Sequence, residues 1–324
     1  MSGNGQYNGN EIYSEEIKMP DLTPKKQKIQ VQLTPKCRYD DKEIKINMRR
    51  ASKYPSVEWA APNEALRYPP AAIVGGGPGL PSQLETLRKW PGDIFGINDT
   101  AGFLSDQGIP CYIYSIDSID EPFKIGPLVK GAYFATRVHR KQFTPFKNKI
   151  IRVFHMAEDN NGIGVEGGPT AVCRAPHLLL RLGYASVHVF GCESCFYNVT
   201  HTGGNRSDAF WNMMIIEVGG MQYLTNGGFL LQVQWMVDYF KKYPQFIVNR
   251  SGGFMRAMEL DTEGWSVVAI SEDLRKQYVS GGVTAFNRQH TIEEDKLWRP
   301  PLVFEQSHIG ENQGNTVYQQ SGGT

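Results

Sequence analysis

The chain has 324 residues, 40% of them hydrophobic and 21% charged, with a formal net charge of +1. This composition is typical of a globular protein with one large α/β domain or two smaller ones. The nearly balanced charge gives no overall field toward nucleic acid or a membrane surface, so we predict no nucleic-acid site. No apolar run approaches 18 residues, so we predict no membrane span. The five cysteines, together with an amino terminus that lacks an apolar signal core, predict a cytoplasmic protein.

The first predicted region is an arm over residues 1–67. Its beginning is rich in Gly, Asn and Glu, and residues 23–50 are basic with apolar alternation at Ile29–Leu33. That alternation predicts an edge strand or an extended arm. Acidic residues interrupt the basic run, which favours a solvated face. If the protein has a protein partner, we expect the arm to bind it.

The second region, residues 68–250, alternates short apolar runs with helical patterns. The predicted strands are residues 71–75, 93–98, 110–117, 132–136, 150–154, 186–191 and 246–249, and the predicted helices are residues 82–90, 169–182 and 229–242. This alternation predicts an α/β fold, a Rossmann-like and mostly parallel sheet with helices on both faces. Ligands of such sheets bind beyond the carboxyl ends of the strands, so the residues there are the candidates for function.

The remainder of the chain is predicted in two parts. Residues 251–305 form a C-terminal extension that packs on the core. Residues 306–324 are rich in Gly, Gln, Ser and Asn. They cannot bury enough apolar area to offset their ordering entropy, which predicts a flexible, disordered tail.

A glycine-rich turn follows the first predicted strand and supplies Gly75, Gly76, Gly77 and Gly79. Glycine lets a backbone approach a ligand closely, and free N–H groups at a helix start attract phosphate. The turn therefore predicts a nucleotide or phosphorylated ligand, and we expect Gly77→Val to block it. The alternative is a plain turn that binds nothing, since Leu80 breaks the G-x-G-x-x-G pattern and the chain has no Walker A segment.

A second glycine loop contains Gly167, Gly168 and Thr170 and leads into the predicted helix near Pro169. Proline suits a first helical position, because its missing N–H would be unpaired there anyway. Since both loops follow strands of one parallel sheet, we predict them at the same edge. Two helix starts at one edge are able to hold a polyphosphate.

Polar side chains follow other predicted strands. Asn98 ends the second strand, Asp117 the third, and Glu193 lies just past a later one, with His201 on the loop beyond. A carboxylate there can hold Mg²⁺ or accept a proton, and histidine can act as acid, base or phosphate contact. The alternatives are that the carboxylates cap helices or pair with an arginine such as Arg137 or Arg206, and that His201 is an ordinary loop histidine.

These motifs resemble a known family. Ile73–Leu80 resembles the (I/V)-x-G-x-G-P-S-L turn of the 6-hydroxymethylpterin diphosphokinase MptE-like family, which includes the flagellar motility accessory factors and looks related to bacterial CMP-sialyltransferases. Further segments match in order at Gly96–Ala101, Tyr114–Asp117 and Gly167–Ser194. The likeness covers about residues 68–210. Gly79 departs from it, because the family usually has Ser there.

The resemblance implies a nucleotide-dependent transferase that moves diphosphate from ATP to the hydroxyl of a small-molecule acceptor. It implies Mg²⁺ held by Asp117 and Glu193, with these two and His201 as catalytic residues. It equally implies the alternative of glycosyl transfer from a nucleotide sugar. A third reading is a non-catalytic interaction protein that kept the fold. A NAD-binding domain is favoured only by Asp99 at the second strand end.

Overall fold

The computed structural model describes residues 40–60, 68–196, 213–262 and 264–270. The helices are α1 (Asp41–Ala51), α2 (Leu84–Arg88), α3 (Thr100–Asp106), α4 (Ala171–Arg181), α5 (Gly227–Lys242) and α6 (Gly253–Leu260). The strands are β1 (Ala71–Val74), β2 (Ile94–Ile97), β3 (Cys111–Ser115), β4 (Val129–Ala135), β5 (Ile150–Phe154), β6 (Val187–Phe190), β7 (Met213–Val218), β8 (Met221–Asn226), β9 (Ile247–Asn249) and β10 (Trp265–Ile270).

Seven strands form the central sheet in the order β5-β4-β3-β2-β1-β6-β9, and every pairing in it is parallel. All four residues of β1 and of β6 are buried, as expected for strands covered on both faces. Each of the seven lies on a strand predicted from the sequence, within a few residues at its ends. The α/β prediction with a mostly parallel sheet is therefore confirmed.

The strand order reverses between β1 and β6. From β1 the chain moves outward through β2 and β3 to β5, then returns past β1 through α4 and continues to β9. Right-handed crossovers in opposite directions place α2 and α3 on one face of the sheet and α4 and α5 on the other. The carboxyl ends of β1 and β6 thus border a crevice, the position where such sheets bind ligands.

The described part of the arm, residues 40–60, contains the helix α1, which the sequence did not predict. The alternating segment Ile29–Leu33, on which the edge-strand prediction depends, lies outside the described residues. The side chain of Asp40 accepts a hydrogen bond from Lys42 N and caps α1. Ile44 and Ala51 bury one stripe of α1, so the apolar residues of this segment follow a helical period. Beyond α1 the arm pairs with the edge strand β5, since Val57 N donates to the carbonyl of Val153 at 2.8 Å.

A second, antiparallel sheet has the order β10-β7-β8 and was not predicted. The two strands β7 and β8 form a hairpin around Gly219 and Gly220, both of which have positive φ. α6 packs against α5, and β10 pairs with β7. The predicted C-terminal extension continues to residue 305, and its part beyond residue 270 lies outside the described residues. The predicted tail at 306–324 lies outside the described residues. In the part of the chain described, no helix is long and apolar enough to cross a membrane.

His188 lies in the middle of the core, 3% exposed, on β6. Its Nδ1 accepts a hydrogen bond from Arg250 Nε at 3.2 Å, so the neutral ring carries its proton on Nε2, beside Ser186 Oγ. The edge of its ring meets Trp90 at a centroid distance of 4.8 Å. Burial, with a smaller contribution from the Arg250 charge, lowers the pKa of His188 from 6.5 to about 4.

We predict that acid destabilises the fold through His188. A histidine with a lowered folded-state pKa contributes stability that is complete above its ordinary value of 6.5 and is lost as the pH falls toward 4. Denaturant titrations should show a free energy of unfolding lower by roughly 2 kcal/mol near pH 5 than near pH 7. His188→Asn keeps an acceptor for Arg250 without titrating, so its profile should be flatter. Parallel profiles for the variant and the parent would contradict this role.

Candidate functional site

The loops that follow β1 and β6 interlock at the crevice. Gly75 N donates to the carbonyl of Phe190 at 2.8 Å, and Gly77 N donates to the carbonyl of Gly191 at 2.7 Å. From the other side, Gln83 Oε1 accepts from Gly191 N at 2.9 Å while its amide nitrogen donates to Arg250 O. Gln83 therefore ties the start of α2 to the ends of β6 and β9, a role that its sequence context did not reveal.

The Glu193 side chain fills the inside of the first glycine turn. It is 1% exposed, and a Cβ on Gly79 would lie 2.7 Å from its Oε1. A Cβ on Gly77 would overlap its Oε2 and lie 2.7 Å from the carbonyl oxygen of Gly191. A Cβ on Gly75 would lie 2.6 Å from Cys192 Sγ. Packing within the protein therefore explains why these positions are glycine, because the β6 loop occupies the space that their side chains would need.

Backbone conformation does not explain these glycines. Among the described residues with positive φ, none belongs to the turn at 75–79. Gly77→Val would therefore fail through overlap with Glu193 and Gly191, and not through an unfavourable φ. Since that overlap acts on the fold itself, Gly77→Val does not separate a loss of ligand binding from a loss of folding.

Two backbone N–H groups of the turn remain available. Within the described residues, the N–H groups of Gly76 and Gly79 donate to no acceptor, and both residues are half-buried. They flank Gly77, whose N–H is engaged with Gly191. Partly exposed N–H groups in a glycine turn form a concave donor surface that suits an anion. In the first glycine turn, the Glu193 side chain therefore fills the inner side, and the outer side carries two N–H groups without an acceptor among the described residues.

Asn98 and Asp117 form a polar pair beside the turn. Asn98 Nδ2 donates to Asp117 Oδ2 at 2.5 Å, across the carboxyl ends of β2 and β3. Asn98 has φ of 51°, a conformation that is uncommon without a functional or turn requirement. Its Oδ1 is buried and has no hydrogen-bond partner in the described part of the chain. The pair therefore offers oxygen acceptors at the edge of the crevice.

The contacts of Asp99 do not favour the hypothesis of a NAD-binding domain. Its Oδ1 accepts a hydrogen bond from Lys124 N at 3.0 Å. That contact fastens the segment before β4 to the start of α3. A ribose hydroxyl would have to compete with it, so the carboxylate has a structural use.

The second glycine loop lies at the same edge of the sheet as the first, as predicted, because β1 and β5 are parallel and each loop follows the carboxyl end of its strand. The helix begins later than expected. Thr170 is the N-cap of α4 and accepts from Cys173 N, so Pro169 precedes the cap and is not the first helical residue. Gly168 packs under Trp235 of α5, where a Cβ would lie 2.7 Å from the indole ring.

A chain of hydrogen bonds connects the second glycine loop to the loop after β6. Thr170 Oγ1 donates to Gln232 Oε1 at 2.9 Å, and Gln232 Nε2 donates to Ser194 Oγ at 2.9 Å. Ser194 follows Glu193 and has φ of 57°. The start of α4 therefore lies beside the β6 loop, and the Thr170 hydroxyl is occupied within the protein. Gln232 and Ser194 were not identified from the sequence, since nothing in their local pattern marks them.

One face of α4 holds the second glycine loop in place. Arg181 Nη1 donates to the carbonyl of Gly164 at 3.0 Å, and His177 Nδ1 accepts from Glu166 N at 2.7 Å. Arg174 forms two hydrogen bonds with the Glu158 carboxylate, at 2.7 and 3.0 Å. Burial, followed by the Arg181 charge, lowers the pKa of His177 and keeps it a neutral acceptor. Side chains of α4 thus hold the loop through the backbone groups of Gly164 and Glu166.

The predicted catalytic residues are only partly brought together. Asp117 follows β3 and Glu193 follows β6, three positions apart in the sheet, or about 14 Å at the usual strand spacing. Arg137, an alternative partner for these carboxylates, pairs with Asp159. Arg206, the other alternative, lies outside the described residues. His201 lies outside the described residues. Within those residues no group of three or more His, Cys, Asp or Glu side chains is placed to hold a metal ion.

The cysteines near the site are neutral thiols. Burial, with the Glu193 charge as the next cause, raises the pKa of Cys192. Burial also raises the pKa of Cys173 to about 11, against smaller opposing contacts from Thr170. A thiol with a raised pKa is a poor nucleophile, so covalent catalysis by these cysteines is not supported.

Comparison with known proteins identifies no relative. No protein-family model matches the chain, and no curated protein matches it either. The resemblance of the glycine turn and the strand ends to the diphosphokinase family therefore remains a likeness of motifs.

We predict a strong energetic coupling between Gly79 and Glu193. Gly79→Ala should lower the free energy of unfolding by about 1–3 kcal/mol, because the new methyl group overlaps the Glu193 side chain. In a Glu193→Ala background the same change should cost far less. Denaturant titrations of the four proteins measure this coupling. Gly252→Ala is the control, since a Cβ there would have no atom within 4 Å. Equal costs for Gly79→Ala in both backgrounds would contradict the packing.

Proposed function

We propose that the chain is a nucleotide-dependent transferase whose donor nucleotide lies in the crevice between β1 and β6. The observation that carries this proposal is the pair of N–H groups at Gly76 and Gly79, which have no acceptor among the described residues and lie where the strand order reverses. A sheet of this type binds its ligand there, and uncommitted backbone N–H groups suit the donor phosphates. The resemblance to the diphosphokinase family supports ATP as the donor and a hydroxyl group as the acceptor.

Asn98 and Asp117 provide the second support. They lie next to the glycine turn, since β2 is the neighbour of β1. Asn98 Oδ1 has no partner among the described residues, and the Asp117 carboxylate lies beside it, accepting a hydrogen bond from Asn98 Nδ2. We assign this pair to the ribose hydroxyls of the nucleotide or to Mg²⁺. Bound Mg²⁺ would neutralise charge on the donor phosphates, and hard oxygen ligands of this kind suit it.

Glu193 has a different role in this proposal from the one that the resemblance implies. Its carboxylate is buried against Gly77 and Gly79, and its strand is three positions from that of Asp117. We therefore assign Glu193 to positioning the turn, and we assign metal binding to Asp117. An acceptor hydroxyl needs a base, and the predicted base is His201. A cytoplasmic location fits the described cysteines, which are free thiols.

A non-catalytic interaction protein is the second candidate. The observation that favours it is the Glu193 side chain, which accounts for Gly77 and Gly79 without any ligand. In that case the uncommitted N–H groups of the turn would be solvated and no nucleotide would bind. The two candidates therefore differ in one measurable property, the affinity of the full chain for nucleotides.

We predict that the full chain binds ATP with Mg²⁺ and that Asp117→Asn or Asn98→Ala weakens this binding at least about tenfold, the effect of one lost charge-assisted contact. Isothermal calorimetry measures the affinity, and circular dichroism confirms that each variant is folded. Asp106→Asn is the matched control, because that exposed carboxylate ends α3 at the opposite edge of the sheet. No binding of ATP or of a CMP-sugar to the parent would favour the interaction protein.

The same titrations distinguish ATP from a CMP-sugar as the donor. They also distinguish a positioning role of Glu193 from a metal-binding role. Tighter binding of a CMP-sugar than of ATP would favour glycosyl transfer. Glu193→Gln removes the charge and keeps the shape of the side chain. If Glu193 only positions the turn, this variant should change ATP affinity equally with and without Mg²⁺. A loss of affinity that appears only with Mg²⁺ would restore Glu193 as a metal ligand.

A further inference from the structure

Positive charge is concentrated at the β5 edge of the sheet. Residues 139–152 contain no carboxylate, while the whole chain has a net charge of only +1. The cations of this segment are Arg140, Lys141, Lys147, Lys149 and Arg152. Such segregation concentrates a positive field on one part of an otherwise balanced surface.

Four of these cations line a cleft of about 410 Å³. The cleft lies between the segment after α1, which supplies Tyr54, and the first half of β5 with the turn before it. No Asp or Glu is among those lining residues that the structure describes. The volume falls within the range of small-molecule sites, about 300–1,000 Å³. The positive charges thus surround a concave surface. A surface that is only solvated would not need this arrangement.

The cations that line the cleft are not neutralised by the protein. In the part of the chain that the structure describes, none of them forms an ion pair with a carboxylate. Lys149 Nζ donates to the carbonyls of Val129 and Pro127, which fixes its position without changing its charge. Arg140 and Lys147 are exposed. Lys141, which does not line the cleft, is the member that pairs with an acid, Asp120.

An aromatic pair adds an apolar surface to the cleft. The rings of Tyr54 and Phe143 are stacked, with centroids 4.5 Å apart and planes 23° from parallel. Phe143 is buried, and Tyr54 is half-buried. Aromatic rings next to unpaired cations provide both a stacking surface and a counter-charge. This combination favours an organic anion over a simple inorganic one.

We propose that this cleft binds an organic phosphate with at least two negative charges, at a site separate from the crevice. β5 lies four strand positions from β1, or about 19 Å, so one small ligand cannot occupy both places. Arg140 and Lys147 supply most of the attraction, Lys149 and Arg152 add to it, and Tyr54 contacts the organic part. The proposal does not depend on the proposed transferase activity.

Calorimetry of the full chain with two probes, tripolyphosphate and ATP in the absence of Mg²⁺, tests the cleft. The double variant Arg140→Gln/Lys147→Gln should bind tripolyphosphate at least about tenfold more weakly, since each exposed cation contributes a modest attraction. Lys241→Gln/Lys242→Gln is the matched control, because it removes two cations from the end of α5 and should leave the affinity unchanged. Tyr54→Ala should weaken ATP more than tripolyphosphate.

Several outcomes would overturn the proposal. Equal losses in both double variants would mean a general charge effect, and unchanged affinity in both would mean that the cleft is a solvated face. Loss of tripolyphosphate binding in Asn98→Ala, with unchanged binding in Arg140→Gln/Lys147→Gln, would assign the anion to the crevice, which leaves the proposed function intact. Tighter binding of a short single-stranded oligonucleotide than of ATP, abolished by the Arg140→Gln/Lys147→Gln variant, would make nucleic acid the ligand.

Discussion

The close approach of the loops after β1 and β6 is the constraint on which the rest of the structure depends. Gly75 and Gly77 donate to β6 and its loop, and the Glu193 side chain occupies the space that Gly77 and Gly79 leave free. Because the strand order reverses at this point, both loops start at one crevice and diverge from it. A side chain on Gly77 or Gly79 would force the loops apart and displace Glu193. The fold therefore requires these glycines whether or not the turn binds a ligand.

The packing of Glu193 inside the turn also determines which groups of the crevice are left to contact a ligand. With the inner side of the turn filled by Glu193, the N–H groups of Gly76 and Gly79 are left to an outside acceptor, beside Asn98 and Asp117. The crevice thus combines backbone donors with carboxylate and amide oxygens, whereas the β5 cleft presents cations and aromatic rings. In the two proposals, phosphate binding depends on backbone geometry at the crevice and on charge at the cleft, so salt should affect the two unequally.

The sequence predicted the sheet well because short apolar runs between helical patterns have few alternatives, and strand ends such as Asn98 and Asp117 follow directly. It did not predict the strand order, which depends on contacts between distant segments. The β7–β8 hairpin was missed although Gly219-Gly220 between alternating residues is a hairpin signal. The burial of Glu193 was not predictable, since a glutamate after a strand looks the same whether it faces a ligand or packs into a glycine turn.

The most direct measurement is an amide NMR titration of the full chain with ATP and Mg²⁺. If the crevice is the nucleotide site, the N–H resonances of Gly76 and Gly79 should shift first and furthest, with Asn98 next. Saturation should occur at the affinity measured by calorimetry, and the amide of Gly108, at the opposite edge of the sheet, should not move. Shifts confined to the β5 cleft, or none at Gly76 and Gly79 at saturating nucleotide, would contradict a nucleotide site between β1 and β6.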